Sequence, residues 1–470
     1  LAVPVDRTRA PAENLHSNAD RMRRLWKLAL KLDACVIFGL RTSDASDLEE
    51  ELMSDGNIDL SKDARALAYS TPLDQINPAQ PALFQSNEMW WNFERLRKEA
   101  PVHYTADSEY GPYWSITKYN DIMAVDTNHQ VFSSEPGITI ADQNGDEGPL
   151  PMFIAMDPPK HDIQRKTVSP AVSPSNLQIL GPLIRERAAA ILDNLPIGEE
   201  FDWVDKVSME LTAMTLATLF GIDQADRRKL TYWSDVVTAV PGHGLIDTLE
   251  QKMQIFLEYH GYFTERWNER VNSEPTGDLI SMLAHGKDTR DMSPREYFGN
   301  VVLLTVGGND TTRNTISGSI LALNQNPDQY KKLRENPSLI PSMVSETIRW
   351  QTPLAHMRRR ATQDFEFQGK QIREGDKVVM WYVSGNRDDE VIERPNDYII
   401  DRERPRNHMS FGFGIHRCVG NRLAELQLQI IWEEIMKRFP DIQLVEEPKR
   451  IYSTFVKGYE SMKVVIPKRA

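Results

Sequence analysis

Residues Phe411–Gly420 read FGFGIHRCVG, and no other ten residues restrict the fold of this chain as much. Gly412, Gly414 and Gly420 allow positive φ and close approach of another group to the backbone. The loop delivers Cys418 to the start of a helical run, NRLAELQLQIIWEEIMKRF. Backbone N–H groups and the positive end of that helix can then converge on the sulfur, which suits a metal ligand or a nucleophile. Structural zinc fits poorly, because no second cysteine lies two to four residues away. A cysteine hydrolase stays open, although the loop lacks the strand-to-nucleophile turn of such enzymes. On the sulfur alone, a buried inert cysteine is as good a reading as a working one.

Composition narrows the classes. The chain has 470 residues, 40% hydrophobic and 26% charged, which is ordinary globular make-up. A net charge of −13 argues against a nucleic-acid surface, while leaving room for a local basic patch. Cys35 and Cys418 are the only two cysteines, so a disulfide framework is excluded and a reducing cytoplasm is the default compartment. No run of roughly 20 apolar residues exists to span a bilayer, so no transmembrane segment is expected. The stretch LWKLALKLDACVIFGL follows RMRR and gives a helix with Leu25, Leu28, Leu32, Cys35 and Val36 on one face. Such a helix can pack on the body of the protein or make peripheral contact with a membrane. The Pro-rich STPLDQINPAQPA, Ser70–Ala82, reads as a linker or extended strap. It divides an N-terminal extension, 1–75, from one main domain, 76–470.

Within the main domain helical periodicity dominates beyond Asp162, with alternation only near Phe365–Phe367 and in DKVVMWYV. Three further stretches bear on chemistry. In SETIRW, Glu346 and Arg349 are three apart and share a helix face, a pair that surface helices also carry by chance. In LLTVGGNDTTRN, Gly307 and Gly308 each cost a helix interior about 1 kcal/mol, a local inconsistency expected at functional sites. On the residues alone, Asp310–Thr311 there reads as an N-cap pair at a helix start. In MDPPKHDIQRKTVSP, His161 and Arg165 are four apart behind Pro158–Pro159, so both can point one way.

Together these stretches resemble the cytochrome P-450 superfamily of haem-thiolate monooxygenases. Phe411, Gly414, His416, Cys418 and Gly420 fit its cysteine signature, with the other motifs in the family's order. The resemblance implies a mainly α fold with small β-sheets, and haem b between an oxygen-activating helix and the cysteine-loop helix. It makes Cys418 the thiolate on iron, with Phe411, Gly412 and Gly420 around the cofactor. Glu346 and Arg349 join Arg402, from PNDYIIDRERP, in a structural charge network. Gly307 belongs to a kinked, opened helix that admits dioxygen, with Asp310 and Thr311 delivering protons and Thr312 bonding to the backbone. His161, Arg165, Arg359 and His416 are the expected donors to the haem propionates, Arg358 and Arg360 being neighbours of Arg359. His408 reads as a satisfied structural histidine.

Specificity lies in the distal wall, where the resemblance assigns Leu303, Val306, Leu354 and Phe455 to the substrate. An apolar lining with no obvious charged anchor favours a hydrocarbon or a fatty-acid tail. The runs GGNDTTRN, RWQTPLAHMRR and HMSFGFGIHRC resemble the soluble bacterial alkane-hydroxylase subfamily. That likeness implies oxidation of the terminal methyl of medium-chain alkanes or fatty acids to primary alcohols. No flavin or iron–sulfur segment follows the haem domain, so electrons are expected from a separate ferredoxin and its NAD(P)H-dependent reductase. Arg417 and Lys166 are candidate basic contacts for that partner. Rival readings are a peroxide-using haem-thiolate enzyme, a haem sensor without catalysis, and a terpene or steroid hydroxylase.

Overall fold

The computed structural model describes residues 63–142 and 149–470. The amphipathic run from Leu25 and Cys35 lie outside the described residues. The chain is mostly helical with small sheets, and one helix organises it. That helix, Pro294–Gln325, has 32 residues and so runs for roughly 48 Å. It starts at a serine N-cap: Ser293 accepts from the N–H of Glu296, and Pro294 occupies the first turn.

The central helix is buried on most of its circumference because other helices surround it. Met209–Phe220, Arg227–Thr238, Ile340–Gln351 and Asn421–Arg438 all pack on it. Ile316, Ile320, Leu321 and Leu323 have essentially no exposure, and each such burial contributes about 1.5–3 kcal/mol. Trp432, fully buried on the Asn421–Arg438 helix, hands its indole N–H to Ser319 Oγ at 2.9 Å. The cysteine-loop helix is thereby pinned to the central one.

A five-stranded sheet forms the other part of the body, in the order Val102–Thr105, Tyr113–Ile116, Lys377–Met380, Met357–Ala361, Phe132–Ser133. Its one parallel pairing sets Trp114 opposite Val378. The strand Met357–Ala361 carries Arg358, Arg359 and Arg360, whose side chains alternate between faces as strand geometry requires.

The Pro-rich stretch packs as a strap. Ile76, Ala79 and Pro81 are buried, and the Ile76 carbonyl meets His103 Nε2 at 2.8 Å. Ahead of it the helix Ala64–Ser70 lies on Trp90–Glu99, where Arg95 donates to the carbonyls of Ala68 and Thr71. Among the described residues no helix is long and apolar enough to cross a membrane.

Candidate functional site

The cysteine loop is closed by its own backbone: the Cys418 N–H donates to the Phe411 carbonyl at 2.8 Å. Two of its glycines are required by an approaching helix end. Gly412 (φ +64°) and Gly414 (φ +63°) are left-handed. A Cβ on Gly414 would lie 2.8 Å from the Asp126 carbonyl, and one on Gly412 would lie 3.2 Å from Asp126 Oδ2. Gly420 departs from the expected positive φ: it sits at −92° as N-cap of Asn421–Arg438. A Cβ there would meet nothing within 4 Å, because the residue faces a cavity.

Cys418 opens on that cavity, which is why it is accessible although protein surrounds it. Burial pushes its thiol upward, and the N–H groups of Gly420 and Asn421 with the guanidinium groups of Arg165 and Arg417 only partly oppose that. A metal cation would supply the remaining charge, since a coordinating thiol deprotonates outright.

Donors without acceptors crowd beside the sulfur. His161 and His416 have ring centroids 4.3 Å apart. His161 Nε2, both ring nitrogens of His416 and Arg359 Nε are buried without a protein partner. Burial first, then Arg359, His161 and Arg165, hold the His416 imidazole down at a pKa of about 2. Arg165 and Arg359 line the same cavity. Arg358 instead pairs with Asp142, and Arg360 is exposed on the strand. Orphaned donors around an otherwise apolar space fit a flat cofactor with acidic side arms, as haem is; glycines at 307 and 420 leave clear space where a Cβ would meet nothing.

The cavity, about 520 Å³, lies between the cysteine loop and the central helix. Gly307, Gly308 and Thr311 face it from the helix, which runs without interruption. Asp310–Thr311 is therefore mid-helix rather than an N-cap. Thr311 Oγ1 donates to the Gly307 carbonyl at 2.9 Å, the backbone bond expected of Thr312. The two glycines differ in cause: a Cβ on Gly307 meets nothing, whereas one on Gly308 would press Leu216 at 2.8 Å.

Asp310 does not line the cavity with Thr311. Successive helical residues point about 100° apart, and Asp310 is directed at the Arg227–Thr238 helix. Its Oδ1 accepts from Ser234 Oγ (3.1 Å), Asn309 Nδ2 (2.9 Å) and Arg313 (3.0 Å), while Oδ2 has no partner. Burial raises its pKa to about 6 against the pull of Arg313. Arg313 also donates at 2.6 Å to Asp235, whose side chain is 27% exposed. Ser234 and Asp235 have no motif of their own in the sequence, and Arg313, although it lies in LLTVGGNDTTRN, was given no role there.

Glu346, Arg349 and Arg402 converge. Arg349 grips Glu346 with two bonds of 2.8 Å, and Arg402 adds bonds of 3.0 and 3.2 Å. Arg349 also donates to the Asn386 and Pro395 carbonyls, which tie the pair to the segment leading into the cysteine loop.

Leu303, Val306, Leu354 and Phe455 all line the cavity. The last two are stitched together by the Ala355 N–H on the Phe455 carbonyl, 2.9 Å. His356, also on the wall, accepts from the Ile140 N–H with Nε2 and donates from Nδ1 to the Thr454 carbonyl. It joins three wall segments that are remote in sequence. The expectation of a wall without a charged anchor fails at Lys252, whose side chain reaches the lining. His408 is not satisfied either: its Nδ1 is orphaned, and burial beside Arg349 and Arg417 holds its pKa near 3. It lines a second cavity, with Arg406, Arg417 and Arg422, on the outer side of the cysteine loop. Lys166 is exposed.

The profile of the cytochrome P450 family matches residues 79–465. The linalool 8-monooxygenase of Pseudomonas putida is 35% identical over 388 residues, which cover 80% of this chain and 94% of that one. A methyl-branched lipid omega-hydroxylase of Mycobacterium bovis is 31% identical over 386 residues, 79% of this chain and 90% of that one. Among solved structures, the cytochrome P450-153 from Novosphingobium aromaticivorans superposes with a TM-score of 0.77 at 45% identity, covering 83% of this chain and 98% of that one. The chain belongs to the cytochrome P450 family and is a monooxygenase whose cofactor is haem b.

Proposed function

We propose that the protein hydroxylates the terminal carbon of medium-chain alkanes or fatty acids, within one haem domain, 76–470, that follows an N-terminal extension. The observation that carries this reading is the cavity itself: it reaches Cys418 and is walled there by Leu303, Val306, Leu354 and Phe455. It follows the central helix from Val302 to Thr315, roughly 20 Å. The aliphatic wall on the helix side of the haem bed suits an apolar chain presented end-on. The omega-hydroxylase named among the relatives supports the same choice.

Cys418 holds the iron, and His161, Arg165, Arg359 and His416 satisfy the cofactor's carboxylates, while Phe411, Gly412, Gly420 and Gly307 shape its bed. When bound, the haem activates dioxygen and inserts one oxygen atom into a C–H bond. Asp310 is the carboxyl that would hold a proton, and Arg313 links it to the partly exposed Asp235. Thr311, anchored on the Gly307 carbonyl, holds the water that takes the proton to the cavity. Glu346, Arg349 and Arg402 keep the loop's scaffold in register. Electrons come from a separate ferredoxin and reductase in a bacterial cytoplasm, with Arg417 and Lys166 on the docking face.

Octane turnover with ferredoxin, reductase and NADH tests the reading. Octan-1-ol is the expected main product, and mainly subterminal alcohols would overturn it. The relative named for linalool supports a second reading, a terpene hydroxylase. Faster coupled turnover of linalool than of octane would select it.

A further inference from the structure

One ammonium stands on the wall of the distal cavity. Lys252 lies in the first turns of the helix Leu249–Val271, and it lines the cavity beside Val237, Ala239 and Val240. Its Nζ donates to the Val237 carbonyl at 3.0 Å and the Ala239 carbonyl at 2.8 Å, where the helix Arg227–Thr238 ends. An ammonium has three N–H donors, so these two bonds fix its position and leave one for another group. Among the described residues no carboxylate pairs with it.

The surroundings specify the chemistry of what it would meet. The neighbouring wall is aliphatic, so a bulky, highly charged head would lose its hydration without replacement. Burial holds the Lys252 pKa at about 8, so the group is mostly charged at neutral pH and lacks a counter-ion. A small, singly charged acid supplies the counter-ion and takes the third hydrogen in a charge-assisted bond. Of the other basic side chains on the wall, Arg165, Arg359 and His416 belong to the cluster beside Cys418, and both ring nitrogens of His356 are taken by Ile140 and Thr454.

We propose that Lys252 is a positioning residue that binds the carboxylate of a fatty acid whose methyl end reaches the space between Gly307, Thr311 and Cys418. The chain thereby prefers acids to alkanes of the same length. This rests on the terminal-hydroxylation reading and adds a head-group site to it.

The test titrates the haem-loaded full chain with dodecanoic acid, its methyl ester and dodecane, reading the Soret shift and the heat of binding. Wild type should bind the acid about ten- to a hundredfold tighter than the ester. Lys252→Met keeps the aliphatic stem and should remove that preference while leaving dodecane within about twofold. Lys252→Arg should restore most of it. Equal affinity of wild type for acid and ester would overturn the anchor, and that comparison needs no variant. So would a parallel loss of acid and dodecane binding in Lys252→Met, which would make the lysine a helix cap alone. If none of the three ligands binds wild type, the terminal-hydroxylation reading itself fails and the anchor with it.

Discussion

Glu346–Arg349 and Asp310–Arg313 are the same device twice: a carboxylate and an arginine three residues apart on a helix, both buried. In the first, both carboxylate oxygens are shared by Arg349 and Arg402, and the Ile399 N–H adds a further donor. In the second, Asp310 Oδ2 and Arg313 Nε have no partner, and Asp235 competes for the arginine. Full satisfaction makes an ion pair a fixture. Partial satisfaction leaves a carboxyl whose charge is poorly supported, and such a group binds a proton near neutral pH.

The largest effect that separates the pairs is on folding. Glu346→Ala leaves Arg349 and Arg402 buried without their counter-charge, at a cost of about 3–5 kcal/mol. Little folded, haem-loaded protein should be recovered. A variant melting within a degree of wild type would break the comparison. Asp310→Asn should fold normally but lose about a hundredfold in coupled turnover, with NADH consumed faster than product forms. An undiminished rate would place Asp310 among the fixtures.

The smallest effect is on pH dependence. Asp310 is raised to about 6 in the fold from 3.8. Between those values the native chain holds a proton that the unfolded chain has released. Its stabilising contribution is therefore complete below 3.8 and is lost as pH rises through about 6. Relative to Asp310→Asn, wild type should gain about 1–3 kcal/mol as pH falls from 7 to 4. Urea melts of both proteins at several pH values would measure this, and a flat difference would mean that Asp310 stays ionised.

What could be read ahead of the structure follows the distance between partners in the chain. The Cys418 loop and the Glu346–Arg349 spacing are local patterns, and each took its meaning from the joint resemblance of the four stretches to one family. Arg402 was reachable only through the resemblance, which takes an arginine from PNDYIIDRERP into the network. The direction of Asp310 was not legible, because it depends on which helix faces that side, and Ser234 and Asp235 carry no motif. Lys252 and His356 were missed for a related reason. Each acts on backbone carbonyls or N–H groups far away in sequence, and backbone atoms leave no trace in residue identity. The reasons for the two glycines were not legible either, since packing on Leu216 at Gly308 and open space over the cavity at Gly307 are properties of the fold.

Asp126 ties the parts together. Its carboxylate accepts from Arg359 at 2.6 Å, from the Tyr382 hydroxyl at 2.8 Å and from the Phe413 N–H at 2.8 Å. One short helix, Tyr119–Thr127, thus clamps a strand arginine and the cysteine loop to the same two oxygens. On the proposed reading, slackening that clamp would loosen both the loop that carries Cys418 and the arginine assigned to the cofactor's acidic arms. Damage at this point would be met in a cell as an empty shell rather than as a slow catalyst.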